Sequence, residues 1–278
     1  MQDLEKVYKI AEEYKMQGEL LKASQEYNKI LEQDPDNINS RISLADIYYI
    51  LGDIDKSIEQ YEKAVELKPH YGLVLYRLGI SYFRATKFYK AISVLDRVIK
   101  LDPDLYMAYY WQGLSFYHIG KIRKSIESYK KLREKGKDST LGYYHLAISY
   151  KTIGNYKEAI KCFEQILKEE QNIVSVNYHL GLSYLGLSKI EKALLCFKKV
   201  LEIDSEHQGA KDILGNLSTD QEMLYTFGIE ESKSDENMEA LITNYHIGEA
   251  YKGFSGIDRA FKYFRKKLNE KQKGSNND

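Results

Sequence analysis

Three prolines stand at a constant spacing along the chain and limit the folds that it can adopt. Pro35, Pro69 and Pro103 are the only prolines in the sequence, and the interval from each to the next is 34 positions. A period of this length is typical of chains that repeat one supersecondary unit and stack the copies. Because proline cannot donate to a helical hydrogen-bond ladder, each of these positions predicts the end of a helix.

The other positions of this unit fall into columns when residue 4 is taken as position 1. Positions 8 and 20 are small, position 11 is aromatic, and position 24 is bulky in every copy. Position 8 holds Ala11, Ala45, Gly79, Gly113, Ala147 and Gly181, and position 24 holds Tyr27, Tyr61, Leu95, Tyr129, Phe163 and Phe197. Positions 4, 7, 8 and 11 have helical spacing, as do 20, 24 and 27, so each unit is expected to contain two amphipathic helices. The small residues let the two helices approach, and the bulky ones fill the volume beside them.

Glycine marks the turn between the two predicted helices. Gly18, Gly52, Gly120 and Gly154 occupy position 15, where a tight turn needs the backbone freedom of glycine, while Thr86 and Ser188 replace it in two units. Six consecutive units follow, at 4–37, 38–71, 72–105, 106–139, 140–173 and 174–207.

A helix–turn–helix unit with this period and pattern resembles the tetratricopeptide repeat (TPR) family, and the resemblance covers residues 4–207. It implies an all-α fold, a TPR-type α-solenoid in which helix pairs wind into a right-handed superhelix and the first helix of each unit lines the concave face. The sequence departs from the family pattern in lacking Trp at position 4. It also has Lys137, Gln171 and Ser205 in place of the proline in the last three units.

The repeat pattern weakens after residue 207 and then returns. Residues 208–217 restart a first helix, but the acidic stretch that follows lacks its partner pattern. A solvated acidic loop at 229–237 and a degenerate repeat covering 208–240 are both compatible with this composition. Residues 241–270 again match the columns and predict a seventh unit, and 271–278 form a polar tail.

Composition narrows the functional classes. The 41 basic residues balance the 41 acidic ones, which argues against nucleic acid as the main partner. No apolar run approaches the length of a membrane span, and the first thirty residues lack the pattern of a targeting segment, so a cytoplasmic location is the expectation. Cys162 and Cys196 are too few for a disulfide framework.

The resemblance implies a protein that binds peptides or extended protein segments and has no catalytic role. Within this family, a carboxylate clamp for chaperone tails needs Lys, Asn or Arg at defined first-helix positions. Here those positions hold Tyr8, Glu12, Ser43, Leu73 and Arg77, of which only Arg77 fits. We therefore expect an adaptor or scaffold that binds another protein without this clamp. Two alternatives remain open: a structural subunit of a larger bacterial-type assembly, and a repeat module that accompanies a separate enzyme such as a protein glycosyltransferase.

Two adjacent columns predict where a partner binds. Position 5 is Tyr in most units, and position 6 beside it is Arg, Trp or His in the central ones. The predicted peptide-binding residues are Tyr76, Arg77, Tyr110, Trp111, Tyr144, His145, Tyr178 and His179. Such rings combine a large contact area with hydrogen-bonding groups. An alternative is that the Tyr rings only pack sideways over the floor of the groove.

No catalytic or cofactor-binding motif stands apart from the repeat columns. His145 and His179 lie on first helices of neighbouring units, whose axes are expected to be roughly 10 Å apart, too far to share a zinc ion. Cys162 and Cys196 lie on neighbouring second helices, which are expected to be separated by a similar distance. The two cysteines are therefore expected to be too far apart for a disulfide. The sequence therefore predicts no metal, no cofactor and no catalytic residues.

Overall fold

The computed structural model describes residues 4–136 and 140–215, and within these ranges the only regular secondary structure is helical. Twelve helices have both ends in this part of the chain. They are α1 (Leu4–Met16), α2 (Leu20–Gln33), α3 (Ile38–Leu51), α4 (Ile54–Leu67), α5 (Gly72–Arg84), α6 (Phe88–Leu101), α7 (Tyr106–His118), α8 (Ile122–Lys135), α9 (Thr140–Thr152), α10 (Tyr156–Leu167), α11 (Val174–Leu185) and α12 (Ile190–Ile203). A further helical segment begins at 208 and is described to 215. The predicted acidic loop, the seventh unit and the polar tail lie outside the described residues.

The helices belong to two compact units, Met1–Lys137 and Asp138–Asp278. The first unit contains α1 to α8 and the second contains α9 to α12. Within each unit every helix packs against the next along the chain, and α5 also contacts α7 as α9 contacts α11. The prediction of an all-α solenoid built from consecutive helix pairs is confirmed.

In three of the helix pairs, one bulky side chain of the second helix rests on a glycine of the first. Tyr129 and Phe197, from second helices, are almost completely buried. A Cβ atom added to Gly113 would lie 2.6 Å from Cε1 of Tyr129, and one added to Gly181 would lie 2.8 Å from Cε1 of Phe197. Atoms never approach that closely without strain, so position 8 is small because the ring opposite requires it.

Several buried tyrosines donate their hydroxyl to a carboxylate. In the first two repeats, Tyr27 and Tyr61 at position 24 donate to Glu12 and Asp46, which lie on the first helix of the same repeat. Tyr184 Oη donates to Glu164 Oε1 at 2.7 Å across two successive repeats. A buried hydroxyl needs a partner, and these acidic residues supply it.

In the third, fifth and sixth repeats, position 24 is Leu or Phe, and position 9 opposite it is apolar as well. These repeats have Leu95, Phe163 and Phe197 at position 24, and Ile80, Ile148 and Leu182 at position 9. The two positions therefore change together in five of the six repeats, and the fourth repeat is the exception, with Tyr129 at position 24 and Leu114 at position 9.

The turns between paired helices all have the same backbone hydrogen bond. In each of the six repeats, the N–H of position 16 donates to the position 11 carbonyl at 2.9 Å, as from Asp53 to Tyr48 and from Lys87 to Tyr82. This bond closes the end of the first helix when the residue between adopts a left-handed conformation. Gly52 does so with φ 85°, and Thr86 and Ser188 do so with φ 57° and 56°. Replacement of glycine in these two repeats therefore leaves the turn unchanged.

Candidate functional site

In the first compact unit, three of the predicted aromatic residues form one connected group. Tyr76 lies on α5, and Tyr110 and Trp111 lie on α7. Trp111 Nε1 donates to the Tyr76 hydroxyl at 3.2 Å, and the Tyr110 ring meets the Trp111 ring edge-on with centroids 5.2 Å apart. All three side chains are partly exposed, so this group presents aromatic surface and hydrogen-bonding atoms together.

Phe83, Phe88 and His118 extend this group and were not predicted. The Phe83 ring lies 5.2 Å from the Trp111 ring, and the Phe88 and His118 rings stack at 4.9 Å with nearly parallel planes. Phe83 occupies position 12 of its repeat, and Trp111 occupies position 6 of the next. An aromatic pair with this spacing, position 12 followed by the next position 6, is the sequence signal that points to the contact.

Arg77, also a predicted site residue, already has a carboxylate partner. Its guanidinium donates to Asp46 on α3, and Asp46 also accepts from Tyr61. The side chains of Arg77 and Asp46 are 35% and 31% exposed. An ion pair at this exposure adds little to stability, so its main effect is to fix the position of the guanidinium.

In the second compact unit, Tyr144 and His145 lie on α9, and Tyr178 and His179 lie on α11. The Tyr144 ring is 5.5 Å from His145 and 6.2 Å from His179, so these three partly exposed rings lie together. The Tyr144 ring also approaches Phe163, which is fully buried, at 6.3 Å. Tyr144 therefore connects the core of its repeat with the surface of α9 and α11.

Tyr178 differs from the other predicted residues because it is buried. Only 7% of the residue is exposed. Its ring packs against Phe197 at 5.7 Å and against His207 at 4.7 Å, and a Cβ on Gly209 would lie 2.7 Å from its hydroxyl. Tyr178 thus presents little surface of its own, and its ring lies 5.6 Å from that of His179.

Lys151 was not predicted, and it lies beside His179. Its Nζ is 3.4 Å from His179 Nδ1, and the two residues again occupy position 12 and the next position 6. Burial lowers the pKa of Lys151. Burial, followed by the charges of Lys151 and His207, lowers the pKa of His179 to about 4, and burial lowers that of His145 to about 4. Both imidazoles are therefore neutral at pH 7, and His179 is able to accept a hydrogen bond from the ammonium.

Other chemically reactive side chains form no cluster in the described ranges. Over 4–136 and 140–215, no group of three or more His, Cys, Asp or Glu residues is placed to hold a metal ion. Cys162 and Cys196 are not joined in a disulfide, and burial, with Glu164 nearby, raises the pKa of Cys196 to about 11. Among the helices described, none has both the length and the apolar character needed to cross a membrane.

Solved structures with the same architecture include those of MamA, YrrB and PilW. The chain superimposes on MamA with a TM-score of 0.58 and 24% identity, over 61% of this chain and 92% of MamA. For YrrB, described as a TPR protein with an unusual peptide-binding site, the TM-score is 0.60 with 17% identity, over 67% and 96%. For PilW, a type IV pilus biogenesis factor, it is 0.62 with 17% identity, over 77% and 99%. At these identities the likeness establishes the fold alone.

Comparison with models of protein families identifies the family of the repeats. No curated protein sequence gives a significant match. Models described as tetratricopeptide repeat match residues 26–59, 76–139, 140–173 and 174–207, and one described as TPR repeat matches 45–85. Together they cover 26–207 without a gap, in agreement with the six helix pairs. The chain belongs to the tetratricopeptide repeat family.

Proposed function

We propose that this protein is a non-enzymatic adaptor that holds an extended segment of a partner protein against the first helices of its repeats. This is the face that is concave in TPR superhelices. TPR arrays are scaffolds for protein–protein interaction, and the peptide-binding site described for YrrB supports a peptide as the kind of ligand. The proposed binding residues are Tyr76, Arg77, Tyr110, Trp111, Tyr144, His145 and His179, whereas Tyr178, which the sequence also predicted, is buried beside His179.

The observation that carries this proposal is the bond from Trp111 to Tyr76. It joins two partly exposed aromatic side chains on α5 and α7, and Tyr110 packs against the same indole. The rings are held in place before any ligand arrives, so little side-chain entropy is lost on binding. Rigid aromatic residues with a polar end are the usual anchors of protein interfaces.

The partner segment is expected to be rich in apolar and aromatic residues. The rings on α5, α7, α9 and α11 offer contact area, and the hydroxyl and imidazole groups offer hydrogen bonds to a peptide backbone. Arg77 contributes a fixed guanidinium, for which an acidic group of the partner has to compete with Asp46. Because an extended segment loses conformational entropy when it is ordered, we expect a Kd on the order of micromolar.

The test begins with a pull-down that uses the intact chain, with bound proteins identified by mass spectrometry. The bound segment is then titrated by calorimetry against the wild-type chain and Tyr144→Ala. We expect the substitution to weaken binding by more than about 1 kcal/mol, as for other aromatic anchors. Tyr89→Ala is the matched control, because Tyr89 is 68% exposed and lies on a second helix. It should leave the affinity unchanged.

Thermal unfolding of the same variants separates binding from packing. If Tyr144→Ala strongly lowers Tm while the folded protein binds the segment as the wild type does, the tyrosine column is a packing feature and the proposal is wrong. The same conclusion follows if Tyr89→Ala weakens binding as much as Tyr144→Ala does.

A further inference from the structure

Lys151 is a cation for which the described residues, 4–136 and 140–215, provide no paired carboxylate. It lies in the last turn of α9 and is partly buried. Its hydrogen-bonding contact in the described part of the chain is the neutral ring of His179 on α11, at 3.4 Å. Many other lysines in the described ranges pair with a carboxylate, as Lys161 does with Glu158 at 2.6 Å.

In the described part of the chain, the ionisable groups on the elements near Lys151 include imidazoles, and carboxylates that already have partners. α9 also contributes His145, α11 contributes His179, and the turn after α12 contributes His207, which acts electrostatically on His179. On α10, Glu158 pairs with Lys161, and Glu164 accepts from Tyr184. Burial is the one cause that moves the pKa of Lys151, so no described carboxylate offsets its charge.

A half-buried ammonium without a counter-ion destabilises the fold, because it loses hydration without gaining a charge partner. Functional sites often contain groups held in such an unfavourable state. An incoming carboxylate would accept from the ammonium of Lys151, which has three N–H donors, and from the His179 ring when that ring is protonated or presents its N–H. The site is therefore suited to one carboxylate group.

We propose that Lys151 and His179 form an anion site that takes one carboxylate of the bound partner, from an acidic side chain or from a chain terminus. This inference rests on the proposed adaptor function and adds a charge requirement to it. Lys151 stands at position 12 of its repeat, outside the positions of the chaperone-tail clamp, whereas His179 stands at position 6, in the same column as Arg77. Arg77, which does occupy a clamp position, is already paired with Asp46.

The direct test follows the pKa of Lys151 by ¹³C NMR of its Cε atom in the full-length chain. Three small probes distinguish the source of the carboxylate: N-acetylglutamate N-methylamide carries only a side-chain carboxylate, N-acetylglycine carries only a terminal one, and N-acetylglutamine N-methylamide carries neither. We expect one or both acids to raise the pKa of Lys151, because a bound anion favours the charged form. The neutral amide should leave it unchanged. The proposal is overturned if both acids, at saturating concentration, move the Lys151 signal no more than the amide does.

Lys151→Met provides the second measurement, with Lys157→Met on the exposed face of α10 as its control. Removing an unpaired, half-buried charge should raise Tm by about 2–4 °C. It should also weaken binding of the partner segment at least tenfold, whereas Lys157→Met should change neither value. A merely structural role for Lys151 would instead lower Tm and leave binding intact. If Lys151→Met binds the segment as the wild type does while Tyr144→Ala does not, the anion site is wrong and the adaptor proposal stands.

Discussion

At the scale of single residues, the tyrosines of this chain serve different purposes according to what their hydroxyl contacts. Tyr61 is nearly inaccessible and donates to Asp46, and burial followed by that carboxylate raises its pKa. Tyr144, by contrast, keeps part of its ring exposed. The 25 tyrosines of the sequence therefore include core residues with a dedicated acceptor and surface residues available for binding.

The pairing of small and bulky positions gives a prediction for Gly113→Ala. The helix propensity of alanine favours the change by about 1 kcal/mol, but the new methyl group would meet the rigid, buried ring of Tyr129 at 2.6 Å. Overpacking of this kind costs about 1–3 kcal/mol, so we expect a net loss of about 1 kcal/mol in the free energy of unfolding. Urea denaturation measures it.

Gly79→Ala is the comparison, because its methyl group meets the Cγ and Cδ2 atoms of Leu95, which are 2.9 Å away and belong to a side chain that can change rotamer. Its effect on stability should therefore be smaller than that of Gly113→Ala. Equal losses in the two variants would show that ring rigidity is not what excludes alanine at position 113.

The partly buried imidazoles of His145 and His179 predict a loss of stability in mild acid. His145 and His179 have a folded-state pKa of about 4, below the ordinary value of 6.5, because burial disfavours their charged form. Between those two values the unfolded chain binds more protons than the folded one, so the free energy of unfolding falls as the pH falls. The slope is about 1.4 kcal/mol per pH unit for each imidazole.

Chemical denaturation at several pH values from 7 to 4 measures this slope. The double variant His145→Asn, His179→Asn should show a flatter dependence across the same interval, whatever its stability at pH 7. An unchanged slope would mean that these imidazoles are protonated in the folded protein as readily as in the unfolded one.

At the scale of the element, the repeated unit is the helix pair with its left-handed turn. Thr86 adopts φ 57° at a position where Gly52 adopts φ 85°. A β-branched residue in this region is strained, whereas glycine is not. We expect Thr86→Gly to raise the free energy of unfolding by about 0.5–1 kcal/mol after the entropic cost of glycine is subtracted, as measured by urea denaturation. Gly52→Thr should lower it by a similar amount, and a loss of stability in Thr86→Gly would contradict this account of the turn.

Helix pairs of this kind are predictable from sequence because their determinants are local. Position 8 faces position 24 within one unit, so a single period contains both partners, as with Gly113 and Tyr129. Contacts between successive repeats are less predictable from the sequence. The pairs Phe83–Trp111 and Lys151–His179 join position 12 of one repeat to position 6 of the next. These contacts depend on the rotation between successive repeats, which the spacing of prolines and glycines does not specify.

At the scale of the whole molecule, the chain consists of two compact units, each with its own stacked helix pairs. The repeat period predicted the solenoid, because every repeat has the same pattern of small and bulky positions. It did not predict a division of the contacts near residue 137, where the only change in the columns is Lys137 in place of the proline of the first three repeats. The identity of the partner is not encoded in the columns either, because the residues that define the repeat are the buried ones.

Stability in such an array is close to a sum over neighbouring repeats, so a core substitution should act locally. Leu146 is 1% exposed, and Leu146→Ala should cost about 2–5 kcal/mol. Hydrogen exchange followed by mass spectrometry should show faster exchange in α9 to α12 and little change in α1 to α4. Leu44→Ala, at a fully buried position of α3, should give the opposite pattern. Uniform acceleration along the whole chain in both variants would mean that the array unfolds as one cooperative unit.

The hydrogen bond between Trp111 and Tyr76 has a further consequence, which is optical. Trp111 is the only tryptophan in a chain with 25 tyrosines, so the intrinsic emission excited at wavelengths too long for tyrosine comes from one indole on α7. Its N–H is engaged with a phenol and its ring lies beside Tyr110 and Phe83, so any ligand that displaces water from this group changes the polarity around the fluorophore. The emission maximum of the unlabelled protein should therefore shift to shorter wavelength when the first compact unit is occupied. A ligand that occupies the Lys151–His179 site alone should leave the spectrum unchanged.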